Sequence, residues 1–291
     1  MSFAVVDEVS DQATETADGH GTMKSLSTSL RVLMEFTADA SSLGVGELAQ
    51  RTGLPKGQIS KILSTFRQHQ ILSQDPATRR YSVGSRAFAL GSRFVNYHPL
   101  AREALVVMRR IVEQTGHSTR LSVMDGDRVI YLLQSEGRLL ADTGWRVGMF
   151  MPIHATTAGK VILAFLPQTR ADELLAGVEL VPFTPNTITS KAMLLDDCAE
   201  IREQGYGISQ GETTAGLGTI GVPIFGPNNQ ILAVLSLLFP MQVVDWADAP
   251  GLAAILHEHA RGLSQNAGCP VYPFGGGRAV HLGALTRAAT R

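Results

Sequence analysis

The chain has 291 residues, 44% hydrophobic and 18% charged, with a formal net charge of −1, enough for two domains with a core each. Cys198 and Cys269 are the only cysteines and lack CxxC spacing, so neither a disulfide framework nor a cysteine zinc site is expected. An acidic N-terminus without a signal pattern, and no apolar run near the ~20 residues that span a bilayer, point to a cytoplasmic protein without membrane contact.

Charge is unevenly placed. Residues 1–22 carry five acids and no Lys or Arg, whereas residues 23–95 carry ten Lys/Arg and four acids. The acidic stretch is without periodicity and reads as a disordered tail. Ser25 to Ala38 then predicts a helix with Leu26, Leu30, Leu33 and Met34 turned to one side, completing a three-helix core.

The most informative stretch is Val45 to Gly84. Val45, Leu48 and Ala49 mark a short helix that stops at Gly53, and Leu54-Pro55 restarts the chain. Ile59, Ile62, Leu63 and Phe66 recur at helical spacing as one buried stripe. Opposite them fall Gly57, Lys61, Ser64 and Gln68, flanked by Ser60 and Thr65. With Lys56 and Gln58 at the helix start, this acid-free face suits phosphates and base edges. Ile71–Ser73 and Tyr81–Val83 read as strands around a turn started by Asp75-Pro76 and carrying Arg79 and Arg80. A basic hairpin after a candidate recognition helix is the wing of a winged helix-turn-helix, its arginines gripping backbone or minor groove. Lys56 and Lys61 can serve phosphates or bases.

Residues 85–98 predict a linker helix, with a domain boundary near His98. Leu100 to Thr115 reads as an amphipathic helix closed by Gly116. Strands follow at Thr119–Met124 and Val129–Gln134 around Asp125-Gly126-Asp127. Pro152 to Leu166 reads as a loop entering a helix ended by Pro167, and Ser190 opens a helix stopped by Gly205. Further strands are expected at 206–209, 219–225 and 231–238, then a helix over roughly 251–264. Residues 268–291, Gly-rich and without an acid, are expected to form a flexible tail.

Taken together, LAQRTGLPKGQISKIL with its wing, PIHATTAGKVILAFLP, IREQGYGISQGETTAGLGTIGVPIF and ILAVLSLLFP resemble the IclR family of bacterial transcriptional regulators over about residues 24–265. The resemblance implies an α+β chain: an N-terminal winged helix-turn-helix domain (23–84), the linker helix, and a C-terminal GAF/PAS-like effector domain (99–267) with an antiparallel sheet flanked by helices. It implies a homodimer or homotetramer on near-palindromic double-stranded operator DNA, responsive to a small metabolite such as an organic or aromatic acid, and no cofactor. Carried over by position, the effector pocket would be lined by Leu140, Thr143, Thr157, Ala158, Ser209, Thr219, Ser236 and Leu238. Two positions depart from the family pattern: Ser209 stands where some members carry an acid, and Leu238 where a serine is expected. Read from the residues alone, these hydroxyls either orient a ligand in an apolar cavity or satisfy neighbouring backbone.

Two other signals are weaker. Gly207-Ile208-Ser209-Gln210-Gly211 spells the G-x-S-x-G of a serine hydrolase, but a helix ending at Gly205 precedes it and loop chemistry follows. His257 and His259, at i and i+2 on a helix, point about 200° apart, so two surface histidines are expected rather than a metal pair.

Overall fold

The computed structural model describes residues 23–37, 41–138 and 146–275. The chain divides into two compact units, Met1–His98 and Pro99–Arg291.

In the first unit three helices, α1 (Lys24–Met34), α2 (Val45–Thr52) and α3 (Lys56–Gln68), precede a hairpin of β1 (Leu72–Gln74) and β2 (Tyr81–Val83), followed by α4 (Ser85–Tyr97). Gly53 ends α2 with φ +71, a left-handed conformation that glycine adopts without steric cost. The core gathers Val32, Phe36, Leu43, Leu48, Ile59, Leu63, Leu72 and Tyr81. Helix α3 has the expected phase, with Ile59 and Leu63 buried and Ile62 and Phe66 packed against them. Helix α1 does not. Val32 is its buried residue and Leu33 packs beside it, joined by Phe36 of the 3-10 turn that follows, while Leu26, Leu30 and Met34 remain exposed. Its apolar residues span two faces, and hydrophobicity alone did not show which one meets α2 and α3.

In the second unit α5 (Pro99–Thr115) leads into β3 (Ser118–Asp125), β4 (Arg128–Ser135) and β5 (Phe150–Pro152). Helices α6 (Thr157–Phe165), α7 (Gln168–Gly177) and α8 (Lys191–Gln204) come next, then β6 (Gly207–Gln210), β7 (Leu217–Phe225), β8 (Ile231–Pro240) and α9 (Ala249–Asn266). The six strands form one antiparallel sheet in the order β5-β4-β3-β8-β7-β6, so the latest strand, β8, lies beside the first, β3. Helices α5 and α9 pack against the sheet, and Thr119 of β3 donates to the Met108 carbonyl of α5. Helix α6, buried from Thr157 to Ala164, covers residues of the opposite parity, with α7 and α8 contributing to the same core. A helix apolar on nearly all sides, Lys160 excepted, belongs in such a position.

Gly268 to Gly275 are not a free tail, contrary to expectation. Tyr272 and Cys269 are buried, and the Phe274 ring packs against Phe165 and Phe225. The aromatic residues among the glycines anchor the segment; residues 276–291 and 1–22 lie outside the described residues.

His257 is not a surface residue either. Its Nδ1 is 2.8 Å from the Tyr272 hydroxyl, which donates to the Pro223 carbonyl at 3.0 Å. With the phenol proton used there, Nδ1–H is the donor to Tyr272, fixing the tautomer. Burial, helped by Arg261, pulls the His257 pKa down to about 4. The neutral ring is thus the folded form. Its contribution is whole above about pH 6.5 and is lost as pH falls from there towards 4. Urea unfolding of the wild type should lose about 2–3 kcal/mol more between pH 7 and pH 4.5 than that of His257→Gln. Parallel curves for the two proteins would contradict this.

Candidate nucleic-acid interface and ligand cavity

On α3, Lys56, Gly57, Gln58, Ser60, Lys61 and Ser64 are all exposed, because burial of Ile59 and Leu63 turns the opposite side outward. No side-chain partner occupies Lys56 or Lys61 among the described residues. The helix therefore presents two cations among small and hydroxyl-bearing groups, a surface that fits the major groove.

The hairpin separates the two arginines that sequence treats as a pair. Asp75 accepts from the Ala77 and Thr78 N–H groups at 2.9 and 2.7 Å, building the tip. Those backbone bonds, Thr78's first, hold the Asp75 pKa below its ordinary value. Arg79 sits at the tip with φ +59 and its side chain exposed. Arg80 instead folds back: its guanidinium bonds the Ser42 hydroxyl and carbonyl at 2.9 and 2.7 Å and the Glu47 carboxylate at 2.9 Å. Glu47 also accepts from the Gly44 N–H at 2.7 Å, and this bond, then Arg80, lowers its pKa. Arg80 thus ties the wing root to the start of α2. Arg79 is the arginine of the pair whose side chain stays exposed at the tip. A missed contributor is Arg67 at the end of α3, which bonds Gln74 of β1 at 2.8 Å and orients the wing.

In the second unit a cavity of about 250 Å³, open mouth included, lies between the sheet and the first turn of α6. It is lined by Thr157, Ala158, Thr219, Ser236 and Leu238, five of the residues carried over by position. Their convergence follows from the register: Ser236 lies opposite Gly221 and Leu238 opposite Thr219, all on the face towards α6. Gly221 is where backbone must yield to the helix, since a Cβ there would meet the Ser236 hydroxyl at 2.8 Å and Thr157 at 3.0 Å. The Thr157 and Thr219 hydroxyls bond one another and tie α6 to β7. Thr156 caps α6 by accepting from the Gly159 N–H at 2.9 Å. The N–H groups of Thr157 and Ala158 have no acceptor within the helix and suit an anion.

Ser209 is not on the cavity wall. It is buried within β6 opposite Thr219, and its hydroxyl is directed to Glu212. The same placement removes the hydrolase reading, because Ser209 lies within a strand that runs into a turn at Gly211, with no helix following. Leu140 and Thr143 lie outside the described residues.

Glu212 belongs to a cluster that sequence reasoning missed. Lys160, 1% exposed, reaches Glu212 at 2.7 Å, Asp197 at 3.0 Å and the Ile208 carbonyl at 2.9 Å. Burial is the main influence raising the Glu212 pKa, and Lys160 opposes it. The signal was visible: Lys160 is the lone charge in the apolar run Ala158–Leu166. The cavity also takes Arg120, Ser122, Tyr131 and Thr156. Among these Arg120 was detectable as the one charge on the inward parity of β3.

Residues 25–76 match the IclR helix-turn-helix domain, and residues 92–265 match the bacterial transcriptional regulator IclR C-terminal domain. The chain belongs to the IclR family. It is 31% identical over 252 residues to the HTH-type transcriptional regulator KdgR of Escherichia coli, covering 86% of this chain and 96% of the relative. It is 29% identical over 248 residues to XynR of the same organism, covering 85% and 98%. The crystal structure of an IclR transcriptional regulator from Alicyclobacillus acidocaldarius superposes with a TM-score of 0.77 at 27% identity, covering 85% of this chain and all of that one. IclR-family proteins are DNA-binding transcriptional regulators and not enzymes, which agrees with the exposed α3 face. Among the described residues no helix is long and apolar enough to cross a membrane.

Proposed function

We propose that this chain is a ligand-responsive regulator that binds a near-palindromic operator in the cytoplasm as a homodimer or homotetramer and senses a small organic or aromatic acid. The observation that carries the reading is the acid-free, outward face of α3 beside a wing whose Arg79 is exposed and has no acidic partner among the described residues. The cavity supports a small-metabolite reading by its lining, hydroxyls and one guanidinium set among Ala158 and Leu238. Self-association is supported by apolar residues that neither unit buries: Leu26, Leu30 and Met34 of α1, and Leu90, Phe94 and Tyr97 at helical spacing on α4. Ligand selective for one arrangement of subunits would shift the fit to two half-sites.

The test is anisotropy on a duplex enriched by this protein and on unrelated duplexes, over a range of salt, with the stoichiometry read at saturation. Arg79→Ala is expected to weaken every duplex and to reduce the slope of log affinity against log salt by about 0.9. Lys61→Ala is expected to cost about 1–3 kcal/mol on the enriched duplex alone if it reads a base, and to weaken all duplexes alike if it holds a phosphate. Absence of salt-sensitive duplex binding, or one chain per duplex at saturation, would refute the proposal.

A further inference from the structure

Arg120 is 5% exposed and lines the ligand cavity. Its Nε and Nη2 both reach Gln134 Oε1, at 3.2 and 2.7 Å, and its guanidinium carbon lies 3.8 Å from the centre of the Tyr131 ring. A guanidinium has five N–H donors, so most remain unused by these contacts. No carboxylate lies within ion-pair distance of it among the described residues. That is unusual chemistry for a buried cation, because desolvation is costly unless an anion compensates it. The aromatic face offsets part of the cost; burial still lowers the Arg120 pKa from its ordinary value.

Beside it stands a second incomplete group. Ser122, two residues along β3 on the same face, is 1% exposed, and its Oγ has no hydrogen-bond partner among the described residues. Directly across from Arg120 in the register is Ser236 of β8. A buried cation without an acid, a buried hydroxyl without a partner and a third hydroxyl thus share one wall of one cavity. The first two lack what an oxyanion provides.

We infer that Arg120 is the charge-reading residue of the effector pocket, taking the carboxylate of a small monoanion, with Ser122 and Ser236 completing its oxygens. The inference rests on the effector reading given above and specifies it. The acidic group lies at the β3 side of the cavity, away from Ser209 and Glu212. That placement separates the ligand's charge from the Lys160 cluster. Leu238 and Ala158 supply the apolar wall, while the Tyr131 ring, covered by the guanidinium, holds Arg120 in place.

The test compares pyruvate, glycolate, benzoate and para-hydroxybenzoate with their primary amides, by melting temperature and calorimetry on the full chain. At least one acid is expected to stabilise the wild type, with its amide binding roughly ten- to hundredfold more weakly. Arg120→Gln should lose that preference for acid over amide, and Ser122→Ala should weaken the acid while leaving the melting temperature of the free protein near wild type. Because Arg120→Gln also removes a strand-to-strand tie, Arg120→Lys serves beside it: charge is kept, the fork is lost, and an intermediate preference is expected. Equal binding of acid and amide by the wild type, no stabilisation by any of the four acids, or an undiminished preference in folded Arg120→Gln would each overturn the inference. Salt-sensitive duplex binding measured on the same preparations separates the cases. If it persists while the acids fail, only the role of Arg120 falls; if it is absent while an acid binds, the regulator reading falls instead.

Discussion

Gly159→Ala is expected to destabilise the second unit by more than about 4 kcal/mol, the range reserved for severe core lesions. In an ordinary helix the same change is stabilising by up to ~1 kcal/mol, since alanine is the better helix former. Here the sign reverses because the first turn of α6 lies directly on the chain that precedes it. A Cβ on Gly159 would stand 1.9 Å from the Ile153 carbonyl oxygen and 2.5 Å from its carbon, and these are backbone atoms with no rotamer to change. The helix would have to lift, carrying Thr157 and Ala158 off the cavity. Urea unfolding of the variant should show an early transition assignable to residues 99–267, with salt-sensitive DNA contacts of the first unit retained at low urea. An unchanged midpoint would mean that the close approach is not a feature of the folded protein.

Lys160→Met should cost about 3–5 kcal/mol, the usual consequence of removing one partner from a buried ion pair. The methionine fills the same space, so the loss is electrostatic: Glu212 and Asp197 are left together with no cation. Glu212 already has a raised pKa from burial, opposed chiefly by Lys160. Without the lysine that pKa rises further, the carboxyl accepts a proton more readily, and the variant should recover stability as the solution is acidified towards the carboxylate range. The triple variant Lys160→Met, Asp197→Asn, Glu212→Gln should regain most of the loss at neutral pH, because the cost lies in uncompensated charge rather than in lost packing. Equal deficits in the single and triple variants would assign the effect to packing instead.

The parts of this molecule that could be read from sequence are those with strong local periodicity. Ile59, Ile62, Leu63 and Phe66 left no freedom in the phase of α3, and the turn residues at 125–127 fixed the β3–β4 hairpin. The phase of α1 could not be read, because Leu26, Leu30 and Met34 are as apolar as the Val32 and Phe36 that the core selected. Cavity residues from α6, β7 and β8 were reached through resemblance by position, which works where the family's backbone is shared. It did not show that Ser209 lies off the cavity wall and beside an acid three residues later, a placement that no alignment of single positions expresses. It was silent on Arg120, Ser122 and Tyr131, because the pairing of β3 with both β4 and β8 is a long-range fact. The anchoring of Arg80 was hidden for the same reason: its partners Ser42 and Glu47 lie 38 and 33 residues away.

The alternation along β3, β7 and β8 assigns neighbouring residues to separate tasks. Arg120, Thr219, Ser236 and Leu238 face the cavity, while Leu121, Ile220, Leu235 and Leu237, between them in the same strands, are fully buried on the other side. Side chains on one face can therefore be exchanged with little consequence for the packing on the other, so long as the spacing of the strand is preserved. Point substitutions at even steps would retune which metabolite is recognised while the scaffold stays intact. A single-residue insertion or deletion in β8 would do the reverse, delivering Leu237 to the ligand and Ser236 to the interior. Divergence of sensing within such a protein is thus expected to proceed by replacement at every second position, with the length of these three strands held constant.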